Sequence, residues 1–146
     1  MKEEKIDRLA KLIYSTIPQL RRDYVATPPA EEGKIPHHAM FTLLILQKYR
    51  KVSMSELANR LGVSNQQMTR IAGKMEEEGL IVRETNETNR RQVDVSMLPA
   101  GKELAEKYGM QAKEKLREKF GVLSEEELDE LYLHLQAVIR LVQKTE

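Results

Sequence analysis

The segment from Ser53 to Gly79 constrains this chain more than any other, because it encodes two short helices and the turn between them. Ser53 with Glu56, and Ser64 with Gln67, have capping-box spacing, in which the serine oxygen accepts from an amide at the helix start and the second side chain reaches back. Gly62 stops the first helix and Gly79 the second. Leu57, Ala58 and Leu61 share one face of the first; Met68, Ile71, Ala72 and Met75 share one face of the second, so each helix has a side committed to a core. The opposite face of the second helix carries Asn65, Gln66, Thr69, Arg70 and Lys74, side chains that read base edges and hold phosphates. Helix, glycine turn and polar-faced second helix make a helix-turn-helix.

Upstream, apolar residues recur at Ile6, Ala10, Ile13, Ile17, Leu20 and Tyr24, the seam of a helix that packs on another helix. Pro18 interrupts that seam and predicts a kink or a break into two helices. Ala26 to Pro36 is polar, proline-rich and expected to be a loop. His37 to Tyr49, opening after Pro36, is apolar on nearly all sides and is expected to be a buried helix. Arg50-Lys51-Val52, with Lys48 beside it, is expected to be a basic turn, either solvated or touching phosphate.

Downstream, the β-prone run Leu80 to Thr85, the turn residues Asn86 to Arg90 and the alternating Val93, Val95 and Met97 predict a β-hairpin with one buried face. A hairpin directly after a helix-turn-helix is a wing. Its tip holds Arg90 and Arg91, and arginine there suits the narrow, electronegative minor groove. Pro99 opens a helix ending at Gly121, weakened at Gly101 and Gly109 by about 1 kcal/mol each. Ser124 and Glu127 form a third capping pair, followed by a seam of Leu128, Leu131, Leu135, Val138 and Val142. Two amphipathic terminal helices expose more apolar surface than one small domain covers, which implies a dimer joined through them.

The expected fold is therefore mainly α with a small β-hairpin wing (α+β), in one folding unit. Residues 1–35 are the N-terminal dimerisation helix and loop, 36–98 the winged helix-turn-helix, and 99–146 the C-terminal dimerisation helices. With 24 Lys and Arg against 23 Asp and Glu, the chain lacks a general basic excess, so DNA binding must come from local clustering. The chain has no cysteine, which removes disulfides and thiolate ligands. A charged N-terminus without a long apolar run predicts no signal peptide and no spanning helix, hence a cytoplasmic protein. No triad, metal cluster or phosphate loop points to an enzyme or a cofactor. The runs Glu76 to Glu78 and Glu125 to Glu127 are surface acids, the first a penalty near DNA unless its side chains turn away. Adjacent His37 and His38 point about 100 degrees apart on a helix and are poor co-ligands for one metal.

Leu57-Ala58, Leu61-Gly62-Val63-Ser64, Thr69-Arg70, Glu77-Glu78-Gly79-Leu80-Ile81, paired wing arginines and Pro99-Ala100-Gly101 together resemble the MarR family of winged-helix transcription regulators, in order and spacing. The resemblance implies a triangular homodimer that binds double-stranded DNA at a pseudo-palindromic operator, usually as a repressor released by a small anionic or phenolic ligand. It implies a recognition helix starting at Ser64, a wing-tip Arg91 with Arg90 beside it, and His37, His38 and Phe41 as ligand-pocket candidates. Within the recognition helix, Asn65, Gln66 and Gln67 suit adenine, Arg70 guanine or phosphate, and Lys74 phosphate. The alternative is a winged-helix module for protein interaction, to be marked by an apolar recognition face. Three features depart from the family pattern. Asn86 and Asn89 stand where aspartates often buttress the wing arginines, which predicts a less rigid wing in which a neutral amide still bonds a guanidinium without charge assistance. Met97-Leu98 lacks the threonine that would cap the next helix, at a cost of ~1 kcal/mol. Asn65-Gln66-Gln67 stands where a cationic or small residue is usual, so the operator sequence is not carried over from relatives.

Overall fold

A computed structural model describes residues 1–24 and 37–146, the side chains of residues 22–24 and 37 excepted. The expected loop from Ala26 to Pro36 lies outside the described residues. The elements are α1 (Lys2–Tyr24), α2 (His37–Tyr49), β1 (Lys51–Ser53), α3 (Met54–Leu61), α4 (Asn65–Glu77), β2 (Ile81–Thr85), β3 (Val93–Met97), α5 (Pro99–Phe120) and α6 (Glu125–Val142), with a final 3-10 turn. The chain divides into two compact units, Met1–Gly109 and Met110–Glu146, with the boundary inside α5.

In the first unit the core joins Ala39, Leu43 and Leu46 of α2 to Leu57 and Ala58 of α3, Met68, Ala72 and Met75 of α4, and Val52, Ile81 and Val95 of the sheet. These are the faces that the helical spacing committed to burial. Helix α2 is not buried all round, however: Leu44 is 42% exposed and Phe41 is half-buried, because the core covers only one side of it. Thr42 is buried at no cost, since its hydroxyl donates to the His38 carbonyl at 2.7 Å. Helix α1 runs unbroken through Pro18, so the expected break into two helices does not occur. Proline removes a single intrahelical bond, and a helix of 23 residues keeps the others. Its seam faces no core: Ile6, Ile13, Ile17 and Leu20 are 45 to 55% exposed.

The basic turn expected at Arg50 to Val52 is instead the entry to a strand. Arg50 takes the left-handed conformation (φ 61) and its amide donates to the Leu46 carbonyl at 2.9 Å, which ends α2 and turns the chain into β1. β1 then completes a three-stranded antiparallel sheet of order β1-β3-β2, with Val52 opposite Val95 and Ile81 opposite Met97. A three-residue strand with one valine has no alternation to read; pairing with the free edge of β3 makes it.

The helix starts differ in detail. Ser64/Gln67 and Ser124/Glu127 form complete capping boxes. Ser53 accepts from the Glu56 amide at 3.2 Å, but the Glu56 carboxylate turns to Arg60 at 2.9 Å, so the expected box there is half made. Gly101 is not merely tolerated in α5: a Cβ at that position would stand 2.1 Å from the Leu80 carbonyl oxygen and 2.9 Å from Met97 Cγ. The same carbonyl accepts the Leu98 amide at 2.9 Å, so the first turn of α5 is pressed against the start of the wing.

In the second unit no residue of α6 is buried, and Leu135, Val138, Ile139, Leu141 and Val142 are 51 to 57% exposed.

Candidate nucleic-acid interface

The polar residues of α4 divide between two grooves instead of forming one face. Asn65 and Thr69 line a groove of about 480 Å³ together with Arg91, Asn89 and Gln92 of the wing, Ser53 and Ser55 at the start of α3, and Arg83 of β2. Gln67, Arg70 and Lys74 line another of about 350 Å³, with His38 and Ala39 of α2 and Glu78. The division follows from helical geometry: residues 65 and 69 lie on the flank toward the wing, residues 67 and 74 on the flank toward α2. Ser64, Gln66 and Arg90 are exposed and lie in neither groove.

Helix starts and sheet register fix what each side chain can do. Gln67 Oε1 accepts from the Ser64 amide at 3.1 Å, so the side chain expected to read adenine is committed to the capping box. Thr69 donates its hydroxyl proton to the Asn65 carbonyl at 2.9 Å and retains only acceptor capacity. Among the described residues, the side chains of Asn65, Gln66 and Arg70 make no hydrogen bond, as a base-reading surface requires. Of the pocket candidates, His38 lines the second groove, Phe41 does not, and the side chain of His37 lies outside the described residues. Lys48 lies 5.2 Å from the Tyr49 ring centroid and Arg60 4.3 Å from it, so that part of the basic segment is stacked on an aromatic ring.

The wing is braced by amides, and not in the expected way. Asn86 donates from Nδ2 to Asp94 Oδ2 at 2.7 Å, and its Oδ1 accepts from the Thr88 amide (3.0 Å), the Thr88 hydroxyl (2.8 Å) and the Asn89 amide (2.9 Å). Asn89 Oδ1 accepts the backbone N–H of Arg91 at 3.2 Å. Neither asparagine bonds a wing guanidinium; both shape the backbone that carries the arginines. Asp94, whose register puts it on the face opposite Val93 and Val95, is nonetheless buried, because the wing loop folds over it. Gln92 donates to its other oxygen at 2.8 Å. These two side-chain amides, with Lys51 as a weaker influence, hold the Asp94 carboxyl below its usual range.

Glu76 is not a free surface acid. Its Oε1 pairs with Arg83 Nη2 at 3.1 Å and its Oε2 accepts the Arg83 backbone amide at 2.8 Å, which ties the recognition helix to β2. The Arg83 guanidinium, then the backbone bond, hold the Glu76 carboxyl below its usual range. Sequence reasoning missed Ser53, Ser55, Arg83, Gln92 and Asp94. The one available signal was an arginine at an inward position of β2, between Ile81 and Thr85 in the period of two.

Among the described residues no group of three or more His, Asp or Glu could hold a metal ion, and no helix is long and apolar enough to cross a membrane.

Residues 35–93 match the family model described as MarR family. No curated protein matches the chain. Among solved structures, a MarR transcriptional regulator from Methanosarcina mazei Go1 is 20% identical, with 96% of this chain and 99% of that chain covered and a TM-score of 0.74. A MarR family protein from Bacillus stearothermophilus is 19% identical over 97% of this chain and 96% of its own, with a TM-score of 0.71. FabT from Streptococcus pneumoniae, solved in complex with DNA, is 19% identical, with 99% of both chains covered and a TM-score of 0.66. At such identities the likeness is one of fold, and it agrees with the order of helices and the three-stranded sheet found here. Residues 35–93 are thus similar to the MarR family, and the architecture around them is a winged helix-turn-helix.

Proposed function

We propose that the protein is a homodimeric, sequence-specific DNA-binding transcription regulator that represses genes by occupying a pseudo-palindromic operator. The observation that carries this reading is the groove in which Asn65 and Thr69 of α4 face Arg91 of the wing. An exposed helix with unengaged Gln66 and Arg70 beside it suits a major groove, and the braced wing suits the minor groove alongside. The recognition face is polar, which speaks against an apolar protein-docking module. The half-exposed seams of α1 and α6 support pairing with a second copy, since each leaves a row of leucine and isoleucine in water, with valine added in α6. Two recognition helices would then enter major grooves about 34 Å apart.

A small anionic effector is part of the proposal. The groove beside His38 offers Arg70 and Lys74 from the recognition helix, so a carboxylate or phenolate bound there would take cations away from DNA. Such a ligand acts only through its difference in affinity for the free and DNA-bound protein.

The test is retention of labelled duplex from upstream of the protein's own gene against excess competitor DNA, at two salt concentrations. Specific retention that weakens with salt is expected. Equal retention of both DNAs would remove the sequence-specific reading.

A further inference from the structure

Arg83 is held more firmly than Arg91, the other arginine of the groove, and has no part in the proposed function. It stands on β2 opposite Val95, on the core side of the sheet, and its side chain escapes sideways into the groove between α4 and the wing. The side chain remains 29% exposed there, anchored at one nitrogen by Glu76. Glu76 clasps the residue at both ends, taking Nη2 with one oxygen and the backbone amide with the other. A guanidinium has five N–H donors, and this carboxylate accepts one of them. No residue lining the groove is acidic, so the free donors look toward neutral and cationic neighbours, Thr69, Asn89 and Arg91 among them.

Gly73 lies against the same guanidinium. Glycine is unfavourable in a helix interior, and nothing among the described residues requires it at 73: its φ is ordinary, and an added Cβ would meet only Arg83 Nη2 among them, at a comfortable 3.9 Å. One turn earlier in α4 stand the exposed Thr69 and Arg70. The missing side chain thus leaves a low place on a half-buried flank of the helix beside an anchored cation with open donors. A phosphodiester needs that combination, close backbone approach together with fork-shaped N–H donors.

We infer that Arg83 is a backbone-phosphate contact of the DNA site, positioned by Glu76 and approached across Gly73. The inference rests on the DNA-binding reading above. Glu76 holds the guanidinium in one rotamer before DNA arrives, so less side-chain freedom remains to be lost on binding.

The test uses the full chain and a labelled duplex of about 30 base pairs from upstream of its own gene, long enough for two half-sites. The double variant E76Q/R83Q keeps the net charge and leaves an amide pair that can still bridge α4 and β2. If Arg83 holds a phosphate, log K against log salt flattens by about one unit, so the advantage of the wild type shrinks about fourfold from roughly 50 to roughly 200 mM salt. A purely structural pair leaves the slope unchanged, and that result overturns the inference. G73A is the second variant and does not threaten folding. It is expected to melt higher than the wild type yet bind the duplex more weakly; a higher melting temperature with unchanged binding overturns the approach across Gly73. Failure of the wild type to retain the duplex over competitor would remove the DNA reading itself, whereas a binding wild type with an unchanged variant slope removes only the role of Arg83.

Discussion

Asn86 donates to the Asp94 carboxylate at 2.7 Å, and this one bond joins the wing loop to the strand behind it. An aspartate at 86 could accept the same loop amides but could not donate to Asp94. The amide is therefore the side chain that this wing requires. N86D would set two carboxylates against each other and is expected to lower the melting temperature at pH 7, with partial recovery in acid as one of them protonates. Melting curves at both pH values check this. A variant as stable as the wild type at pH 7 contradicts the bracing role.

Asp94 and Glu76 both have carboxyls held below their usual range, so each contributes stability above the unfolded-state value of about 4 and loses it as pH falls through the lower folded-state value. Thermal stability should be flat near neutrality and decline below about pH 4. D94N is expected to be less stable than the wild type at pH 7 and to show a shallower acid decline. Parallel declines in the two proteins would remove Asp94 from the account.

Gly101 admits no side chain while α5 starts where it does, because a Cβ would stand 2.1 Å from the Leu80 carbonyl oxygen. G101A must move backbone and should destabilise by about 3 kcal/mol, the upper range for overpacking. Denaturant titration measures it. A cost below about 1 kcal/mol would mean that α5 shifts freely.

Arg70 and Gln67 separate binding from stability. R70A is expected to weaken operator binding by about 1 to 3 kcal/mol with little change in melting. Q67A gives up the capping box and should cost stability by about 1 kcal/mol, with a smaller effect on base discrimination. Titrations at fixed salt and melting curves of both variants check the contrast; equal binding losses would return Gln67 to base reading.

The exposed seam of α6 makes the oligomer testable. L135K places a charge in a row that is half exposed in the single chain and should shift the protein toward monomer in sedimentation. A charge buried in an apolar interface without a partner is costly. An unaltered dimer would move the interface elsewhere, and a monomeric wild type would remove it.

Much of the fold is legible in the sequence. The two helices of the central motif end within two residues of their glycines, and Leu57, Ala58, Met68, Ala72 and Met75 are buried as their spacing requires. Both strands of the wing lie where β propensity, for β2, and alternation, for β3, put them. Strand β1 was hidden, since three residues carry no period, and Asp94 looked like a solvent-facing residue because alternation reports the face of a strand but not the loop that folds over it. Glu76 looked like surface because its partner lies seven residues away on another element.

Local physics, in caps, glycine stops and periodicity, determined which residues form helices and strands and which sides turn inward, because these depend on neighbours within a few positions. Tertiary structure alone decided how the polar residues of α4 are shared between two grooves, that Gln67 serves a cap, that Asn86 and Asp94 lock the wing, and that Arg83 reaches the groove under the hold of Glu76. Each of those depends on the distance between side chains remote in sequence, which is fixed only when the sheet pairs and the helices pack against it.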